Sequence, residues 1–215
     1  MKLLSTLGTT AFLALAALPA SSAVITLNFE GIGDLNPVGN FYDGGAGTNF
    51  GVGFSSNALA VVDADAGGSG NIGGEPSPST ALFFLDGPAA TMNVAAGFTT
   101  GFSFFYSAVN NSGFINVWDG LNATGTLLAS LFLPVTPSDG GDPNGSFSPF
   151  YAIGVAFAGT AMSVDFGGTV NQIAFDNVTF GSVKPGGPSV PLPASALFGL
   201  LGVASLLGMR KARKV

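Results

Sequence analysis

Carboxylates carry almost all the reactive chemistry that this sequence of 215 residues offers. There are 12 of them, all between Glu30 and Asp176, and the chain has no His and no Cys. Without His there is no imidazole acid–base group, no Ser-His-Asp triad and no His-bound zinc. Without Cys there is no disulfide frame, thiol nucleophile or Cys-bound metal. No Lys or Arg lies between Ala23 and Val183, so the body carries a formal charge of -12 with no internal counter-ion. Such a surface repels phosphate backbones, which excludes nucleic acid as a partner, but it can attract divalent cations. Glycoside hydrolysis by an Asp/Glu pair is the common catalytic scheme still open. A hydrolase also needs aromatic subsites, and the chain has 1 Trp and 3 Tyr. A non-enzymatic protein is the expectation. Trp118 and Tyr42 are the side chains that could stack on a sugar, although each also reads as core.

Two stretches aim carboxylates at particular places. From Gln172 to Phe180, Ile173 and Phe175 share one face of a strand, whereas Val178 and Phe180 share the other. The phase slips at Asp176-Asn177. A bulge there would turn all four apolar residues to one core and re-aim Asp176. Local hydrogen bonding by Asp176 and Asn177 in a turn is the plainer alternative. Asp63-Ala64-Asp65-Ala66-Gly67-Gly68 opens like a calcium loop, and Gly68 fits the glycine of an EF-hand. Gly74 stands where the final Glu should be, Glu75 is one place late, and no helical pattern flanks the segment. A solvated Gly-rich loop is the expectation there.

The elements that must hold these residues read as strands. Short runs rich in Val, Ile, Phe and Thr recur between Gly, Asn, Asp and Pro clusters, eleven in all from Val24 to Phe180. Gly101–Ser107 alternates Phe102, Phe104 and Tyr106 against Ser103, Phe105 and Ser107, as a half-buried antiparallel strand does, with Phe105 as the exception. Trp118 to Gly125 reads as an inter-strand loop. The fold class expected is all-β, an antiparallel, jelly-roll-like β-sandwich spanning residues 24–183. A linker, Lys184-Pro185-Gly186-Gly187-Pro188-Ser189, follows it.

The ends read as export and membrane segments. Lys2, an apolar stretch to Leu18 and the small residues Ser21 and Ala23 form a signal peptide, residues 1–23, with cleavage expected after Ala23. Residues 190–215 hold Val190-Pro191-Leu192-Pro193-Ala194, an uncharged run 194–209 and the basic tail Arg210, Lys211, Arg213 and Lys214. The run reaches roughly 24 Å as a helix, short of a hydrocarbon core of about 30 Å unless Leu192 and snorkelling bases extend it. Its basic tail would stay cytoplasmic and leave the body outside.

This tripartite end resembles the PEP-CTERM bacterial sorting signal, and Val190 to Ala194 look like its VPLPA variant. The resemblance implies processing by an exosortase, membrane anchoring before processing, and then a place on the outer surface or in a matrix associated with exopolysaccharide. Phe29-Glu30-Gly31 and Phe175-Asp176-Asn177-Val178 are also similar to motifs of exported jelly-roll domains bearing this tail, and of some carbohydrate-binding modules. In those modules a first-strand Glu and a last-strand Asp meet at a structural calcium. The resemblance therefore implies Ca2+ held by Glu30 and Asp176, with Asp43 as a third candidate. The leading expectation is a surface or matrix protein. A calcium-assisted carbohydrate-binding module is the alternative, and a glycoside hydrolase comes third.

Overall fold

The structure is a computed structural model that describes residues 23–142 and 145–186. Apart from Ala23, the expected signal peptide lies outside the described residues, as do the end of the linker, the sorting motif, the helix 194–209 and the basic tail. Among the described residues no helix is long and apolar enough to cross a membrane.

Eleven strands form where the eleven apolar runs were expected: β1 (Ile25–Leu27), β2 (Val52–Phe54), β3 (Ala58–Val62), β4 (Thr80–Phe84), β5 (Ala89–Phe98), β6 (Gly101–Ser107), β7 (Gly113–Trp118), β8 (Leu127–Leu133), β9 (Tyr151–Ala156), β10 (Ala161–Gly168) and β11 (Ala174–Phe180). A short 3-10 turn covers Ala64–Ala66. One sheet runs β3-β4-β11-β6-β9, with β1 also on β11, and the other runs β2-β5-β10-β7-β8. Every pairing between strands is antiparallel. The chain is a β-sandwich.

The sheets are held face to face by interdigitated rings. Phe166 of β10 meets Phe175 of β11 at 5.1 Å, and Phe102 and Phe104 of β6 at 5.8 and 6.3 Å, all edge-on. Edge-to-face contact places the positive ring edge on the negative ring face. Most of the Phe-rich composition is spent here, with Phe29, Phe84, Phe98, Phe102, Phe104, Phe166 and Phe175 fully buried.

β6 corrects the half-buried expectation. Ser103 and Ser107, on its outer face, are also fully buried. A second apolar cluster of Val61, Ile72, Ala81, Phe83, Phe147, Phe150 and Ala174 covers that side, and Phe105 packs against it. The Phe105 exception therefore marks a second layer formed by loops over the sheet's outer face.

The phase slip in β11 is a bulge. Its register to β6 shifts between Asp176 and Thr179, and Asn177 takes a positive φ of 46°. Ile173, Phe175, Val178 and Phe180 all join the main core. On its other edge β11 pairs β4 at Phe175 and β1 at Val178 to Phe180. Asp176 thus sits where the strand changes partner.

Candidate functional site

The gap at that partner change explains where Asp176 points. Its carboxylate is fully buried, and the Ser77 N–H and hydroxyl donate to Oδ2 at 2.8 and 2.7 Å. The Asn177 N–H donates to Oδ1, while the Ser77 hydroxyl also lies 3.1 Å from the Asn28 carbonyl, just past β1. Glu30 reaches the next residues of the same segment. Ser79 N–H and Thr80 N–H donate to its Oε1 at 3.0 and 2.8 Å, and Thr80 Oγ1 donates to Oε2 at 3.1 Å. Glu30 and Asp176 therefore converge on one segment, 77–80, as acceptors for backbone groups that the edge of a sheet would leave unpaired. Asp43 is exposed in the 39–47 loop, with its N–H on the Asn40 carbonyl. Tyr42 is core: it is buried, and its hydroxyl accepts the Phe29 N–H at 2.8 Å.

Burial pushes the Asp176 carboxyl up to about 6, against its hydrogen bonds from Ser77 and Asn177 and with help from the negative charge of Glu30. Burial, followed by the charges of Asp63, Asp176 and Asp142, also pushes Glu75 up to about 7. An acid whose folded pKa is raised adds stability below its unfolded pKa, and that stability is lost as pH rises through the folded value. For Asp176 the difference is worth about 3 kcal/mol. With a chelator present, the melting temperature should fall as pH rises from about 4 to about 7, and Asp176→Asn should flatten that fall. A melting temperature that climbs over this window would contradict the burial of these acids.

The Asp63 loop is solvated over Ala64 to Gly67 and at Ser69, as expected, but its first residue is not. Asp63 is buried, its Oδ1 accepts the Asp65 N–H at 3.2 Å to cap the 3-10 turn, and its own N–H donates to Ser79 O at 2.8 Å. Gly68 is required, because a Cβ there would run into the backbone of Val62. Asp142, far along the chain, completes a cluster in which one oxygen each of Asp63, Asp65 and Asp142 lies within 4.8 Å of the others. These three residues could hold a metal ion. Sequence reading found the first two but not Asp142, because nothing local marks a contact made by chain crossing.

A second feature lies on the outer face of the β5-β10-β7-β8 sheet. Ile115 and Val117 of β7 point into the core, so Phe114, Asn116 and Trp118 face outward. Phe114 pairs with Phe132 of β8, which is 66% exposed, and Asn116 pairs with exposed Ser130. Phe114 lies flat on Gly167 of β10, where any Cβ would collide with its ring. Trp118 donates its indole Nε1–H to Asp165 Oδ2 at 3.2 Å, and Thr91 Oγ1 donates to Asp165 Oδ1 at 2.9 Å. The 119–126 loop closes one end of this face. Asn122 and Asn93 exchange two hydrogen bonds at 2.7 and 3.0 Å, and the Ala123 N–H donates to Ser163 Oγ at 3.0 Å. Three partly exposed rings thus stand beside amides, hydroxyls and a carboxylate held in fixed orientation. Phe114 and Trp118, four residues apart, are about 13 Å apart along the strand.

On the other sheet, a pocket of about 260 Å3 is lined by Val61, Ile72, Phe83, Phe147, Asn71 and Asn171, among others. Its rings are largely buried in the second apolar cluster.

No family model matches the chain, and no curated protein does. Among solved structures, the chain is similar to a family 6 carbohydrate-binding module whose binding sub-sites were dissected by crystallography and calorimetry. That likeness has 16% identity and a TM-score of 0.39, and covers 74% of this chain and 93% of that one. The chain is also similar to a glycoside hydrolase family 43 arabinoxylan arabinofuranohydrolase from Bacillus subtilis, in complex with cellotetraose. Here identity is 18% and the TM-score 0.37, with 58% of this chain and 24% of that one covered.

Proposed function

We propose that the protein is an exported, non-catalytic, jelly-roll-like carbohydrate-binding module that binds a polysaccharide chain on the outer face of the β5-β10-β7-β8 sheet. The observation that carries the reading is the outward row of Phe132, Phe114 and Trp118 with Asn116, Asp165 and Ser130 between them. Pyranose rings present an apolar C–H face and a polar rim. Aromatic faces take the first and fixed polar groups take the second. The charge of -12 on the body favours a neutral glycan over a uronate. Export through the signal peptide and sorting by an exosortase through Val190 to Ala194 would bring this face to the cell surface or to an exopolysaccharide matrix. Calcium accompanies the reading as a structural ion.

Affinity electrophoresis through gels containing hydroxyethylcellulose, xylan or alginate tests it. A neutral gel should retard the parent more than alginate does. Trp118→Ala and Phe132→Ala should abolish the retardation, and Asn71→Ala, in the pocket of the other sheet, should leave it unchanged. Equal mobility of the parent in every gel, or retardation lost only in Asn71→Ala, would remove this face from the account.

A further inference from the structure

We propose that β8 is a docking edge for a second copy of this chain, the two β8 strands pairing antiparallel about Ser130 to join their sheets into one. The two sheets end on four strands, β3 and β9 in one and β2 and β8 in the other. One segment, residues 35–42, seals two of these edges. Leu35 N–H and Val38 N–H donate to the carbonyls of Ala60 and Ala58 in β3 at 2.8 and 2.9 Å, and Ala60 N–H donates to Asn36 O at 2.9 Å. The segment runs on to β2, where Phe54 N–H donates to Gly39 O at 2.8 Å and Val52 N–H to Tyr42 O at 3.2 Å. β8 and β9 have no such cover. Among the described residues, β8 is bonded through its backbone to β7 alone, and β9 to β6 alone.

An open edge is ordinarily blunted by charge, Pro, a bulge or short length, because its free N–H and C=O groups template pairing with another chain. β8 has 7 residues, and none of them is charged, Pro or Gly. Its one irregularity in register to β7 lies at the Leu127 end. Leu127 and Phe132 are 46% and 66% exposed. The open backbone groups call for an extended strand as partner, and the side chains select which one. With no carboxylate on β8, this edge offers nothing to a basic peptide, although the body around it is strongly acidic. An uncharged strand lies against its own copy without like charges meeting across the twofold axis. Overlap is greatest about Ser130, the middle residue, which then faces itself while Ala129 faces Leu131 of the second copy. The axis of such a pair stands perpendicular to the sheet, so the outer faces of both copies stay on one side. The rows of Phe132, Phe114 and Trp118 from the two copies would share a single surface.

The chain has no Cys, so a single introduced thiol reports on this contact alone. Directly opposite Cβ atoms in an antiparallel pair lie about 4.5–5.5 Å apart, close to disulfide reach. In purified full-length protein under a mild oxidant, Ser130→Cys should form a disulfide-linked dimer roughly tenfold faster than Ala152→Cys, whose thiol stands on exposed β9. Amide exchange over residues 127–133, read by mass spectrometry, is the second measurement. The amides facing away from β7 should be protected in concentrated protein and exchange roughly tenfold faster on dilution. Ser130→Lys, at an exposed position, should remove that protection by setting like charges opposite each other, and mixing it with Ser130→Glu should restore it. Crosslinking of Ser130→Cys no faster than that of Ala152→Cys would overturn the proposal. So would exchange over 127–133 that is the same in the parent and in Ser130→Lys. In a mixture of the two thiol variants, linkage chiefly between positions 130 and 152 would also overturn it, since that contact is head-to-tail and builds a filament. Neither measurement contains a glycan, so this proposal and the functional reading can fail separately.

Discussion

Phe166→Ala is expected to lower the melting temperature by roughly 10 °C. Phe166 is fully buried and is the ring that the β10 sheet inserts among Phe102, Phe104 and Phe175 of the other sheet. Truncating a buried Phe costs about 3–5 kcal/mol, from lost transfer energy and the cavity left behind. Each kcal/mol moves the melting temperature of a domain this size by about 2–4 °C. The hole would be slow to collapse, because the rings around it are pinned edge-on to one another and sit on hydrogen-bonded strands. Phe132→Ala is the matched control: the ring is 66% exposed, and its removal should change stability by no more than about 0.5 kcal/mol. Similar melting temperatures for the two variants would mean that the sheets are not stacked through Phe166.

Trp118→Ala is expected to weaken glycan binding by about 30-fold or more, which corresponds to roughly 2 kcal/mol for a central aromatic anchor. The indole is not free to swing, since its Nε1–H is tied to Asp165, which Thr91 holds from the other side. A ring ordered before the ligand arrives loses little entropy on binding, so more of the stacking energy appears as affinity. Trp118→Phe keeps a stacking face but gives up the tether, and should lose affinity by less than the alanine variant does. Asp165→Asn can still accept the indole hydrogen bond, so it should be the mildest of the three. Full affinity in Trp118→Ala would take the ligand off this face.

Much of this architecture is legible in the residues, for reasons that are local. Strands announce themselves through β-branched and aromatic runs between Gly, Asn and Pro turns. β5 runs longer than its apolar segment, because Ala89, Ala90, Ala95, Ala96 and Gly97 are small and give little pattern, although the strand ends on Phe98, which joins the main core. The bulge at Asp176 is readable because a phase slip in period-2 alternation has few physical solutions. The outward row on β7 is not among the expectations: Trp118 reads as core or as the start of a loop, and only the burial of Ile115 and Val117 turns Phe114, Asn116 and Trp118 outward. What alternation does not reveal is which partner strand places Phe132 beside Phe114, or which loop brings Asp142 to Asp63. Those contacts join residues distant in sequence and exist only once the sheets are ordered. The Gly-rich loop reads as solvated and largely is, and what its own residues do not show is the approach of Asp142 from far along the chain.

Trp118 is the single tryptophan of the chain, so its emission reports on the proposed binding face and on nothing else. Titrating the protein with a polysaccharide that retards it, while following that emission, is the most direct test of the central claim. The expected result is a saturable change in intensity and a shift in wavelength as sugar rings displace water from the indole, at the same Kd that calorimetry gives. Calorimetric binding with no change in Trp118 emission would contradict the account, because it would mean that the glycan binds somewhere other than this sheet.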